Sequence, residues 1–366
     1  MSRNTNSLDS EIAEKLRPIE LPPMPATPLI SVLIANYNYA QYIGAAIESV
    51  LNQTYQNFEI IVCDDGSTDN SREVVEQFVS RDSRVRLVSK ENGGLASALN
   101  AAYAASRGEI VCMLDADDLF HPEKIEKVIE AFKKFSRSGF CIHQFTKIAK
   151  EGRAFSYPRP MFLAEGWLAA KALRDGGLCA TLSGALGSSF RRPVTDLLFP
   201  VPSRLRRLVD SYLGHTAQFL TEVCAIHGVL AKLRIHGENI SSSAAPTVIS
   251  VNRTIEDLAL MISLVKELLA VHYGSDVAQK LRIQNNSVYC SLLVELHVLN
   301  GNRSKEIGGE PLEALVEHIQ PYRQKLLMRT LLALPPRLSR WVLQCWAGQS
   351  ASTATIVRTA RSFLRI

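Results

Sequence analysis

The sequence is poor in features that would settle its class at once. Its seven cysteines, Cys63, Cys112, Cys141, Cys179, Cys224, Cys290 and Cys345, are scattered, odd in number and mostly set in apolar runs, and no Cys-x-x-Cys pair occurs. Zinc and dithiol redox motifs are therefore unsupported, and a reducing compartment is expected. Charge is nearly balanced, with 41 Lys and Arg against 36 Asp and Glu. The excess of +5 does not argue for a nucleic-acid partner, whose footprint is a dense basic stripe. No apolar stretch reaches the ~18 residues needed to cross a bilayer; the nearest are 258–265 and the Leu-rich 326–334, which Arg329 interrupts. Residues 1–28 are polar and then proline-rich, without the apolar core of a secretory signal, and read as a mobile leader. A Walker lysine loop, a Ser-His-Asp elbow and a Gly-x-Gly-x-x-Gly fingerprint are all missing, so kinase-like, hydrolase and dehydrogenase chemistry lack their parts.

What remains is a chain of 366 residues, 46% hydrophobic, sufficient for one large domain or two ordinary ones. Between residues 29 and 146, strand-like apolar runs (30–35, 58–63, 85–89, 109–114 and 140–146) alternate with helix-patterned segments (42–52, 71–80, 95–106 and 122–135). That alternation predicts a mostly parallel sheet flanked by helices, each connecting segment being long enough for a right-handed crossover. Residues 147–245 are less regular. Helical patterning returns over 255–273, 277–299 and 311–333, and a shorter helix follows Pro335-Pro336. The expected organisation is a flexible leader (1–28), an α/β domain (29–245, in halves 29–146 and 147–245) and an α-helical C-terminal region (246–366).

Two acidic clusters carry the chemistry. Asp64-Asp65-Gly66-Ser67-Thr68-Asp69 follows the run Ile61-Val62-Cys63 and precedes a helix, the place where open α/β sheets bind ligands. Adjacent carboxylates there can accept hydrogen bonds from a base N–H or a ribose hydroxyl, and Gly66 permits a tight turn. A plain strand-to-helix turn capped by Asp69 or Ser67 has the same composition. Asp115-Ala116-Asp117-Asp118 also ends an apolar run, before a helix opened by Pro122. Three carboxylates so close repel one another unless a cation sits among them. A hard divalent ion held by one or two of them keeps its other positions for water and phosphate oxygens. The plain alternative is a polar turn with Asp118 or His121 near the helix start.

Three more motifs stand in order with these: Val32-Leu33-Ile34-Ala35-Asn36-Tyr37-Asn38, Ser49-Val50-Leu51-Asn52-Gln53-Thr54 and Asn92-Gly93-Gly94-Leu95-Ala96. Together they make the stretch from Ser31 to about Thr146 resemble the nucleotide-sugar-binding half of a family 2 glycosyltransferase, with a GT-A-type, Rossmann-like fold. The resemblance implies inverting, metal-dependent transfer of a sugar from a nucleoside-diphosphate sugar, UDP- or GDP-linked, to a hydroxyl of a saccharide or lipid-linked acceptor. The divalent metal would be Mg or Mn. It implies further that Ala35, Tyr37 and Asp65 line the base, that Asp115 touches the ribose or sugar and that Asp117 ligates the metal. Asn92, Gly93 and Gly94 would border the sugar or diphosphate, and Asp64 would bind there or hold the loop.

An acceptor hydroxyl must lose its proton as the new bond forms, a task for a carboxylate or histidine. The candidates are Asp210, in Arg206-Arg207-Leu208-Val209-Asp210-Ser211, and His236, in Arg234-Ile235-His236-Gly237-Glu238-Asn239. The family resembled has an Asp at a helix head here, often after Glu where this chain has Val209, and an Arg-x-His-Gly-x-Asn stretch further on. On that resemblance Asp210 is the base, and His236 contacts the diphosphate or closes the site. A helix cap and a loop residue are the plain readings of the two. Ser183-Gly184 and Ser188-Ser189-Phe190-Arg191-Arg192 match the stretch lining the acceptor pocket. The Gln-x-x-Arg-Trp of processive members is absent; Arg337-Leu338-Ser339-Arg340-Trp341 has Arg in place of Gln and lies far beyond Asp210, so one sugar per encounter is expected. The alternatives are a catalytically silent scaffold of the same fold and a sugar nucleotidyltransferase. From Pro321 onward eight basic residues and no Asp or Glu are interleaved with Leu and Trp. That pattern suits either peripheral contact with anionic lipid, at the cytoplasmic face of a membrane, or a solvated helix pair capping a core.

Overall fold

The computed structural model describes residues 10–177, 184–236, 246–302, 304, 306–307, 309–320 and 322–348. The chain divides into two compact units: Met1–Ala172 with Cys179–His236 and Leu268–Val277, and Leu173–Leu178 with Gly237–Glu267 and Ala278–Ile366. Through residue 235 the elements run α1 (Ser10–Lys15), β1 (Ile30–Asn36), α2 (Ala40–Leu51), β2 (Phe58–Asp64), α3 (Ser71–Val79), β3 (Val85–Ser89), α4 (Leu95–Ala105), β4 (Ile110–Asp115), β5 (Leu119–Phe120), α5 (Lys124–Lys134), β6 (Ser138–Ala149), α6 (Ala169–Arg174), β7 (Ser188–Arg191), α7 (Arg192–Leu198), α8 (Val209–Leu220) and β8 (Glu222–Ile235).

These eight strands form one sheet in the order β3-β2-β1-β4-β7-β6-β8-β5. The first four are parallel, β7 is antiparallel to both β4 and β6, and β8 is parallel to β6. β2 is buried along its whole length and β1 along nearly all of it, as befits strands covered by helices on both faces. Ile43, Ala46, Ile47 and Val50 of α2 recur at helical spacing and pack on Val32, Ile34, Ile60 and Val62. Backbone approaches backbone where a side chain would intrude: a Cβ on Gly108 would lie 2.5 Å from Ser31 N.

The second half of the α/β region was poorly legible in the sequence. β8 is 14 residues long but only intermittently buried, with His227, Lys232 and Arg234 breaking its apolar pattern, and its pairing with β6 shifts register. β7 has only four residues.

Residues 10–28, within the segment 1–28 expected as a leader, make specific contacts with the rest of the chain. Ile12 and Leu16, one helical turn apart, are buried; Ile19 N donates to Leu220 O at 2.7 Å; and Lys133 Nζ donates to Ala26 O at 2.9 Å. The proline-rich segment is held by its carbonyls, which proline keeps although it lacks an N–H. A helical region was expected from 246 onward. Residues 268–277 belong with the sheet, where Tyr273 Oη donates to Phe219 O at 2.6 Å and Arg17 O at 2.8 Å.

The remaining elements are α9 (Val248–Tyr273), α10 (Ser275–Lys280), α11 (Ser287–Asn300), β9 (Glu306–Ile307), β10 (Glu310–Pro311), α12 (Leu312–Glu317), α13 (Tyr322–Ala333) and α14 (Pro336–Gly348). The segment 277–299, expected as one helix, is broken because Asn286 caps a new one, its side chain accepting from Tyr289 N at 2.9 Å. The second unit has its own core, in which Val294 and Val298 meet Leu315, Leu327, Leu331 and Leu343. Among the described residues no helix is long and apolar enough to cross a membrane. Cys63, Cys112, Cys141, Cys224 and Cys290 are free and buried.

Candidate active site

β1, β2 and β4 lie side by side and end together. Register pairs Asn36 with Asp64 and Ala35 with Asp115, so the two acidic clusters emerge from strands that flank β1, about 10 Å apart by strand spacing. The β1 and β2 ends are laced into one platform. Asn36 Nδ2 donates to Asp64 Oδ1 at 3.0 Å, Ser67 N donates to Asp64 Oδ2 at 3.2 Å, and Ser67 Oγ accepts from Asn38 N at 2.9 Å. Asn38, in the left-handed region at φ 60°, accepts from Thr68 N at 2.8 Å. Asp69 bridges from Ala40 N (3.0 Å) to Ser71 N (3.0 Å), which pulls its carboxyl below the ordinary range against the opposing effect of burial. Asp64, fully buried, thus holds the loop.

Asp65 works in the other direction. Its carboxylate accepts from Lys90 Nζ at 2.7 Å, from Gly93 N at 3.0 Å and from Gly94 N at 2.7 Å. The Asn92-Gly93-Gly94 loop is thereby clasped to the end of β2. Gly66 makes the approach possible: at φ +76°, a Cβ there would stand 2.8 Å from Asn92 N. Tyr37 is exposed and Ala35 half-buried beside this platform.

At the β4 end, Asp115 retains accessible surface although protein surrounds it densely. Desolvation, then the charges of Asp117 and Asp210, push its carboxyl up to about 7. Asp210, in the first turn of α8, therefore stands near Asp115. Leu208 supports it from a left-handed conformation (φ 59°), and a Cβ on Gly184 would lie 3.2 Å from Asp210 Oδ2. Asp117 Oδ2 lies 2.9 Å from His236 Nε2, and both side chains are largely buried. His236 stacks on Tyr42 (centroids 4.8 Å apart) and meets Tyr39 edge-on at 5.9 Å. Arg234 locks the turn: its N donates to Asp118 Oδ1 at 2.7 Å and its Nε to Asp117 O at 2.9 Å. Burial and the neighbouring charges of Asp115 and Asp117 raise the Asp118 carboxyl well above its ordinary value.

Comparison with known proteins decides the class. Residues 31–197 match the family described as Glycosyl transferase family 2. The putative teichuronic acid biosynthesis glycosyltransferase TuaG of Bacillus subtilis is 32% identical across 64% of this chain and 91% of its own length. The chain belongs to glycosyltransferase family 2. Its class of chemistry is glycosyl transfer. Several longer relatives of the family, polysaccharide synthases among them, are matched over only 13 to 22% of their own length. Among solved structures, S. aureus TarS 1–349 in complex with UDP superposes with a TM-score of 0.51 at 16% identity, covering 88% of this chain and 93% of that one. The mannosyltransferase PcManGT from Pyrobaculum calidifontis, in complex with GDP-Man and Mn2+, gives 0.50 at 16% identity, covering 93% and 94%. At such identities the likeness shows the fold alone, which is GT-A-like.

A divalent cation is implied by the family, and the donor set bears on it. Among the described residues no three His, Cys, Asp or Glu side chains form a metal-holding group. Magnesium and manganese need no such cage when substrate phosphates complete the shell, and hard carboxylate oxygens suit them. Burial first, and then mutual repulsion, raises Asp115, and the buried Oδ2 of Asp118 has no hydrogen-bond partner among the described residues. The carboxylate oxygens present are the kind of donor such an ion takes.

The structure brings Asp115, Asp117, Asp210 and His236 to one strand-end cluster, and Asp64, Asp65, Asn92, Gly93 and Gly94 to the neighbouring one. Ser183 and the Gly237–Asn239 part of the histidine motif lie outside the described residues. Sequence reasoning missed Lys90, Tyr42 and the locking role of Arg234. Lys90 directly follows β3 and faces an acidic loop, which was a usable signal. Tyr42 reads as one more apolar position of α2.

Proposed function

We propose that this family 2 glycosyltransferase moves one sugar per encounter from a nucleoside-diphosphate sugar, UDP- or GDP-linked, to a hydroxyl of a saccharide or lipid-linked acceptor, with inversion. The observation that carries the reading is the convergence of Asp115, Asp117 and Asp210 at the end of β4. The Asp65-clasped glycine loop stands at the end of β2, on the other side of β1. The platform from Ala35 to Tyr37 and the Asn92–Gly94 backbone hold the nucleotide. Asp115 accepts from the ribose or sugar. A divalent ion bound at Asp117 supplies neutralisation of the charge that develops on the leaving diphosphate.

Asp210 holds the acceptor hydroxyl and takes its proton as the oxygen bonds to the anomeric carbon and the carbon–phosphate oxygen bond breaks; the electron pair leaves on the diphosphate. His236 keeps Asp117 oriented, and its stacking on Tyr42 fixes the ring. The TarS complex with UDP and the PcManGT complex with GDP-Man support a nucleotide-sugar donor without choosing the base.

Asp210→Asn should keep donor binding within about twofold while turnover falls by roughly 10²–10⁴. Asp117→Ala should lose the Mn2+-dependent part of UDP or GDP affinity in calorimetry. Full turnover in the first variant removes the base assignment; unchanged metal-dependent affinity in the second removes the metal assignment.

A further inference from the structure

Of the eleven large apolar side chains exposed on the described surface, four fall within eight residues: Phe155 (55%), Tyr157 (84%), Met161 (62%) and Phe162 (72%). They belong to a hairpin that grows out of β6. Its returning arm pairs back through Phe145 N to Arg159 O and Arg159 N to Phe145 O, each 2.7 Å, and through Phe155 N to Lys147 O at 3.0 Å. Thr146 Oγ1 donates to Ser156 O at 3.0 Å, and Lys147 N donates to Ser156 Oγ at 2.7 Å. The arm is thus tied to β6 while its rings and thioether remain in water. A clustered apolar surface of this kind, unlike scattered exposed residues, marks an interaction site.

The same hairpin is basic. Lys147, Lys150, Arg153 and Arg159 face the single acid Glu151, a net of +3 from four positive charges and one negative. Among the described residues none of these four cations has an ion-pair partner. We propose that the hairpin is a membrane-contact element. It seats Phe155, Tyr157, Met161 and Phe162 at the interface of a bilayer whose anionic headgroups meet Lys147, Lys150, Arg153 and Arg159. Charge complementarity and side-chain chemistry select this occupant. Aromatic rings also stack on the C–H faces of sugars, but a neutral saccharide offers no charge to four cations, whereas a hydrocarbon boundary beneath phosphates matches both apolar tips and cations. The turn is tied to the acidic cluster, because Arg234 donates to Lys150 O at 2.6 Å and to Asp117 O at 2.9 Å. Seating the hairpin therefore holds the cluster near the bilayer, where a lipid-linked acceptor presents its hydroxyl; only this last consequence rests on the proposed function.

The test is sedimentation of the full chain with vesicles of phosphatidylcholine alone and of phosphatidylcholine with about one third phosphatidylglycerol. Binding is expected to the anionic vesicles only, weakening as salt screens the headgroups. The triple variant Phe155→Ser, Tyr157→Ser, Phe162→Ser should bind at least about tenfold more weakly with an unchanged melting temperature. Arg153→Gln with Arg159→Gln should flatten the salt dependence. The proposal is overturned if the wild type ignores anionic vesicles, or if the folded triple variant binds them within about twofold of wild type. It is equally overturned if that variant instead loses self-association or saccharide binding with vesicle binding intact. Asp210→Asn should sediment like the wild type, so failure here and failure of the proposed function are read separately.

Discussion

Replacing Asp65 by Asn probes the clasp between the two strand-end loops. Three donors converge on its carboxylate, Lys90 Nζ and Gly94 N at 2.7 Å and Gly93 N at 3.0 Å. An amide keeps one acceptor oxygen and turns an NH2 group towards donors on the other side, so at least one charge-assisted bond is lost and one donor faces another. Such bonds contribute about 1.5–3 kcal/mol each. Lys90 is a quarter exposed, and its share is reduced by solvent screening. The free energy ordering residues 90–94 should therefore fall by about 2–3 kcal/mol, which makes nucleotide binding roughly 30- to 150-fold weaker where that order is required. Titration calorimetry with UDP and GDP measures the affinity, and amide hydrogen exchange at Gly93 and Gly94 measures the order. Wild-type protection of both amides together with affinity within about twofold would falsify the clasp.

Gly66→Ala should cost about 1–3 kcal/mol in urea unfolding, because its φ of +76° coincides with a Cβ position 2.8 Å from Asn92 N. Gly94→Ala has open space around it, but φ +84° with ψ 174° is a conformation essentially only glycine adopts, so the backbone alone should cost about 1–3 kcal/mol; wild-type stability in either variant would contradict the glycine requirement. Glu295 gives a pH-dependent case. Burial raises its carboxyl from the ordinary 4.5 to about 7, so the native state keeps a proton that the unfolded chain has already released between those values. The resulting penalty is absent below pH 4.5, grows as pH rises to about 7 and stays constant above. Glu295→Gln should therefore stabilise the protein by on the order of 1–3 kcal/mol at pH 8 and scarcely at pH 4.5, read as the difference between urea midpoints at the two pH values; equal gains at both would refute it.

What the sequence determined by itself was everything carried by local pattern. The apolar runs of β1, β2 and β4 and the stripe of α2 are periodic, and periodicity within one element follows from the geometry of strand and helix. The Asp64–Asp69 and Asp115–Asp118 clusters were legible because they stand directly after such runs, and the chain order of the five motifs points to the family. β8 escaped because its apolar pattern is interrupted, and the 277–299 break because one Asn side chain, capping a helix, outweighs continuous helical patterning. Only the tertiary structure decided which polar groups meet. His236 reaches Asp117 and Arg234 locks Asp118 because β8 lies beside β6 and pairs with β5, just after the acidic turn. Likewise, α8 sets Asp210 near Asp115. Contacts between residues so distant in sequence depend on strand order and register across the whole sheet, and no local window of residues encodes them.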